Sequence, residues 1–129
     1  MTKIPFFITS ASAGFPSPAQ DFAESPLDLN RYLIQHPAAT FLIRVTGDSM
    51  VDAGIHDGDI LVVDRAHIVT NNCVVVAVLD GEFTIKRYCQ ENGKIILKPA
   101  NKNYQDIEVA PDRDFEIWGM VTYALHKVL

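Results

Sequence analysis

The apolar residues of this chain come in short blocks whose spacing favours strands over helices. Residues 40–45 and 83–88 alternate between apolar and polar positions, the period-two pattern of a half-buried strand. Residues 59–63 and 73–79 are nearly continuous apolar runs, and 95–97, 107–109 and 115–125 complete the set. Turn chemistry separates the blocks: Asp57-Gly58-Asp59, Asn71-Asn72, Asp80-Gly81 and Asn92-Gly93. The Asp80-Gly81 pair is the clearest hairpin signal, and it delivers Lys86 onto the second strand of that hairpin. Many short strands with close turns predict a mainly β fold, a compact antiparallel domain, sandwich-like or barrel-like.

The first part of the chain has no such pattern. Residues 9–18 are small, polar and broken by Pro16 and Pro18, so residues 1–26 are expected to form a flexible, extended N-terminal arm. The β domain then occupies 27–129. At the junction Ser25 suits an N-cap, Pro26 the first helical position and Asp28 the first turn. Leu27, Leu29, Leu33 and Ile34 share one face of a helix of about two turns, which His36-Pro37 ends.

Composition narrows the function class. The 129 residues suffice for one core, and 48% are apolar. Eleven Lys and Arg stand against 16 Asp and Glu, a net charge of −5, with the cations scattered along the chain. That distribution lacks a stripe for gripping phosphates, so no direct nucleic-acid binding is expected. Cys73 and Cys89 show no metal or redox spacing and read as reduced core thiols. The apolar stretch 4–8 is too short for a membrane span or a secretory signal. A cytoplasmic protein is the expectation.

Candidate chemistry is sparse. The four histidines, His36, His56, His67 and His126, share no ligand spacing, and Asp48, Asp52, Asp57 and Asp59 read as turn formers without the pattern of a calcium loop. No metal and no cofactor is expected. There is no Gly-x-Ser-x-Gly elbow, phosphate-binding glycine loop or dinucleotide fingerprint, and nothing marks one histidine as a base. Ser49, in the turn Gly47-Asp48-Ser49-Met50, and Lys86, on the strand 83–88, remain. By themselves they are a turn serine and an edge lysine. A free lysine of pKa about 10.4 is neutral in roughly one molecule in a thousand at neutral pH. Burial lowers that pKa by up to ~3–5 units and turns the amine into a usable base. Phe83, Ile85 and Tyr88 flank Lys86, and alternation puts Thr84 and Tyr88 on its face of the strand.

Several motifs occur together in order. Gly47-Asp48-Ser49-Met50 is followed by Gly54-Ile55-His56-Asp57-Gly58-Asp59, then Gly81-Glu82-Phe83-Thr84-Ile85-Lys86. Leu97-Lys98-Pro99-Ala100-Asn101-Lys102-Asn103-Tyr104 and Trp118-Gly119-Met120-Val121 complete the series. Together they resemble the Ser-Lys self-cleaving family of LexA-type repressors and UmuD-type mutagenesis proteins, from about Ala13 to the C-terminus. The 37-residue separation of Ser49 from Lys86 is the spacing that family uses. The resemblance implies Ser49 as nucleophile, Lys86 as general base and Ala13-Gly14 as the scissile pair, with the backbone N–H groups of Ser49 and Met50 as oxyanion donors. About a dozen residues precede the presumed cut, too few for a helix-turn-helix domain, and 14–19, 28–30 and 34–37 resemble the UmuD branch. That branch implies a homodimer whose self-cleavage a RecA filament on single-stranded DNA promotes. The processed form would then join a Y-family, UmuC-like translesion polymerase. Two other readings stay open: a non-catalytic interaction module of a polymerase complex, and a LexA-like regulator without its DNA-binding domain.

Overall fold

Seven strands form where the apolar blocks lie: β1 (Thr40–Arg44), β2 (Ile60–Asp64), β3 (Val74–Leu79), β4 (Glu82–Glu91), β5 (Lys94–Lys98), β6 (Ile107–Val109) and β7 (Phe115–Leu125). They belong to a computed structural model that describes Ile4, Phe6 and residues 26–129. Every pairing is antiparallel, and the strand order is β1-β2-β7-β3-β4-β5-β6. Among the described residues β1 and β6 are the outer strands of this sheet.

Two turns set the register of the middle strands. Leu79 pairs with Glu82 across Asp80-Gly81, and Glu91 pairs with Lys94 across Asn92-Gly93. All four turn residues have positive φ, as the tight two-residue hairpin requires. The second hairpin makes β4 longer than the alternation predicts. Gln90 and Glu91 are polar and exposed, yet they pair with Ile95 and Lys94 because the turn lies beyond them.

β7 is the strand on which the sheet turns. It bonds β2 on one side and β3 on the other, and it carries an irregularity against each. Thr122 is the extra residue opposite Val62 and Val63, and Trp118 the extra residue opposite Val76 and Ala77. Such bulges bend a strand and increase its twist. Gly119, between them, lies so close to β2 that a Cβ would stand 2.8 Å from Val63 Cγ1 and 3.1 Å from the Asp64 carbonyl oxygen.

The main core joins Leu61 and Val63 of β2 to Val76 of β3, with Val45, Met50 and Ile55 from the β1–β2 connection. Ile85 of β4 and Trp118 of β7 pack against it. A second cluster, Leu79, Leu97 and Val109, lies toward β5 and β6. The β1–β2 connection thus contributes three residues to the core.

The predicted helix is shorter and starts later. It spans Leu29–Leu33, and the Asp28 carboxylate caps it, accepting the Asn30 and Arg31 N–H groups at 3.1 and 3.4 Å. Asp28 therefore stands at the cap and not inside the first turn, and Pro26 precedes the helix. Leu27, Leu33 and Ile34 are partly covered, but Leu29 is 57% exposed, so one turn cannot bury the whole apolar face. Ser25, Ala13 and Gly14 lie outside the described residues.

Candidate active site

The turn bearing Ser49 is fixed from three sides. Just after β1, the Val45 N–H donates to the Asp59 carbonyl at 2.8 Å, and the Gly58 N–H donates back to the Val45 carbonyl at 2.9 Å. Gly47 then takes φ +88°, a conformation costly to any residue with a Cβ, and its N–H donates to Asp57 Oδ1 at 2.7 Å. Asn101 Nδ2 donates to the Asp48 carbonyl at 2.9 Å, and the Tyr104 hydroxyl donates to Asp48 Oδ1 at 2.6 Å. The Ser49 carbonyl accepts the Ala100 N–H, and the Ala100 carbonyl accepts the Asp52 N–H, both at 2.8 Å. Met50, 2% exposed, anchors the turn in the main core. The segment following β5 thus acts as a splint for the serine.

Lys86 comes from the hairpin. It stands on β4 opposite Val75, and its Nζ reaches Ser49 Oγ at 3.0 Å, Thr84 Oγ1 at 3.1 Å and the Ile85 carbonyl at 3.0 Å. Burial pushes the amine below the usual lysine range, and among the described residues no carboxylate is bonded to it to offset that effect. A neutral amine has two N–H groups and one lone pair. The Ile85 carbonyl can only accept, and the Thr84 hydroxyl can accept the second N–H, which leaves the lone pair for the Ser49 proton. The pair opens on a cleft of about 170 Å³ lined by Ile43, Val45, Gly47, Met50, Phe83 and Ile85. The N–H groups of Ser49 and Met50 donate no hydrogen bond among the described residues. Chemically, a hydroxyl against an amine biased toward neutrality is a nucleophile–base arrangement.

The remaining sequence candidates divide. Asp57 and Asp48 serve turn geometry, as their accepted bonds from Gly47 and Tyr104 show. Asp59 also closes a turn, its N–H donating to the His56 carbonyl at 3.1 Å and its Oδ2 accepting the His56 N–H at 2.8 Å, but it is buried. Both cysteines are free thiols, and Cys89 is buried. The four histidines, scattered in sequence, gather in two pairs on Asp59 and Asp64.

Residues 5–122 match the family model described as Peptidase S24-like. The chain belongs to the peptidase S24-like family. It is 46% identical over 124 residues to protein MucA of Escherichia coli, covering 95% of this chain and 84% of that protein. With protein SamA of Salmonella typhimurium it shares 46% over 123 residues, 95% of this chain and 85% of the relative. The LexA repressor of Clostridium perfringens is 41% identical over 102 residues, 79% of this chain and 50% of the repressor. The UmuD-type resemblance drawn from the motifs therefore holds.

Within this S24 member, four of the motifs meet around the Ser49–Lys86 approach. The first supplies the serine turn, the second its Asp57 brace, the third the lysine and the fourth the splint. Thr84 is the site residue that sequence reasoning left without a role. Its signal was the i, i+2 alternation that put it on the Lys86 face. Asn101 and Tyr104 carried no chemical signal, because what they bond is a backbone and a side chain over fifty positions away. Among the described residues no helix is long and apolar enough to cross a membrane.

Proposed function

We propose that this chain is a UmuD-like SOS mutagenesis protein, a latent serine peptidase that cleaves itself once, between Ala13 and Gly14. The 3.0 Å approach of Lys86 Nζ to Ser49 Oγ carries the reading. The lowered lysine pKa and the S24 membership support it. Neutral Lys86 takes the Ser49 proton as Oγ attacks the Ala13 carbonyl carbon, and the N–H groups of Ser49 and Met50 receive the oxyanion. The Lys86 ammonium then gives its proton to the departing Gly14 nitrogen, and the Ala13–Gly14 bond breaks. Water, deprotonated in turn by Lys86, attacks the acyl-serine and frees Ser49. Residues 1–26 form the substrate arm and 27–129 the peptidase domain.

Latency requires the productive state to be rare until a partner stabilises it. In this reading the partner is a RecA filament on single-stranded DNA, acting in the cytoplasm. The processed homodimer joins a Y-family polymerase, and the domain needs no nucleic-acid contact of its own. The −5 net charge agrees with that division of labour.

Intact-mass analysis of the purified chain with activated RecA filaments tests the proposal. Loss of residues 1–13 is expected in the parent and absent in Ser49→Ala and Lys86→Ala. If all three chains remain uncut, the non-catalytic interaction module replaces this reading.

A further inference from the structure

Two buried aspartates bracket β2, Asp59 before it and Asp64 at its end, and each gathers two of the four histidines. We propose that His56, Asp59 and His126 form a binding site for a divalent transition-metal ion of the zinc type. Two imidazoles and a carboxylate are the donor set such ions favour. Asp59 Oδ1 lies 2.7 Å from His126 Nδ1, and Asp59 Oδ2 lies 3.7 Å from His56 Nδ1. Donor atoms from the three residues fall within 4.8 Å of one another. Bonds of 2.0–2.2 Å in tetrahedral geometry place donors about 3.3 Å apart, so an ion would replace the 2.7 Å hydrogen bond between His126 and Asp59 and draw the three donors into one shell.

The His56 nitrogen supplies a separate reason. Nδ1 is buried without a hydrogen-bond partner among the described residues, and 3.7 Å is too far for a bond to Asp59. An ion between them would give that nitrogen the partner it lacks. The His56 backbone N–H donates to Asp59 Oδ2 at 2.8 Å and orients the carboxylate, as outer partners of metal ligands do. The two histidine side chains are 43% and 49% exposed, which leaves an entry path and room for a water ligand.

The other cluster lacks this vacancy in its bonding. His36 Nδ1 and His67 Nε2 both address the single oxygen Asp64 Oδ2, at 2.6 and 3.6 Å, and neither histidine has a buried nitrogen left unpaired. It reads as an ion cluster in which His36 bonds the carboxylate and His67 stands beside it. The proposed site adjoins the serine turn, since the Asp59 carbonyl and Asp57 Oδ1 accept the N–H groups of Val45 and Gly47.

Titration of the chelator-treated full chain with Zn2+ by calorimetry, and with Co2+ by visible absorption, tests this. One equivalent with a Co2+ ligand-field band is expected, weakened at least about tenfold in His56→Gln and in His126→Gln. The same equivalent should persist in His67→Gln. His126 also bonds the buried Asp59 carboxylate at 2.7 Å, so each metal-free variant is first shown to keep the parent's far-UV circular dichroism at the titration temperature. Absence of binding to the parent, binding unchanged in both variants, or loss of that equivalent in His67→Gln would each overturn the proposal.

Discussion

Lys86 Nζ has two acceptors besides the serine, and its burial decides what those contacts mean. If the amine acts as the proposed base, self-cleavage of the purified chain without RecA should accelerate between roughly pH 7 and 10, as the neutral fraction grows. A flat rate in timed gels across that range would remove Lys86 from the role. Thr84 is a positioning residue in this scheme, since its hydroxyl bonds the lysine amine. Thr84→Val forgoes a hydrogen bond worth about 1–1.5 kcal/mol, so cleavage should slow roughly tenfold. The rise with pH should also move to lower pH, because an acceptor that stabilises the ammonium is gone, and Thr84→Ser should restore both. Asp64 supplies a stability test. Burial raises its carboxyl pKa, but the bonds from His36 and the Ala66 N–H, with the charges of His36 and His67, outweigh that and hold it below the usual value. A depressed folded pKa adds stability above the unfolded value, near 3.9, that is lost as pH falls through the folded one. Urea midpoints should therefore drop on acidification below about pH 4, and drop less steeply in Asp64→Asn.

At the scale of elements, β7 and its contact with β2 invite a direct perturbation. Gly119→Ala would press a methyl group into Val63 Cγ1 and the Asp64 carbonyl, both held within the sheet. Overpacking of this kind costs about 1–3 kcal/mol, readable as a lower urea midpoint with an unchanged m-value. The strands themselves were legible because each one is a block of alternating or continuous apolar residues, and turn residues separate the blocks up to β5. Even the three residues of β6 sit where the pattern put them. The bulges at Trp118 and Thr122 were not legible, since an extra residue is defined only against the strands on either side. The helix starts later than the sequence predicts because Asp28, read there as a first-turn residue, is the one whose carboxylate accepts the Asn30 and Arg31 N–H groups.

Across the molecule, residues Leu33–Leu129 form one compact unit with two apolar clusters strung along a single sheet. Trp118, the sole tryptophan, packs against the first cluster, whereas far-UV circular dichroism reports all strands. Because β7 adjoins β3, which carries Val76 of the first cluster and Leu79 of the second, both signals should follow one urea transition. Transitions that separate would show that β5 and β6 unfold on their own.

The sequence by itself determined the strands, their turns and the identity of the two residues proposed to react. Those features rest on local chemistry: apolar periodicity, positive-φ turn residues and motifs in a family's order. Only the tertiary structure decided that Ser49 and Lys86, 37 residues apart, meet at 3.0 Å in a setting that lowers the lysine pKa. It likewise brought Thr84, Asn101 and Tyr104 to the site and gathered four scattered histidines on two buried aspartates. The physical reason is the same in each case. Burial and hydrogen-bond partners belong to neighbours in space, and the strand order that supplies those neighbours is not written in any one segment.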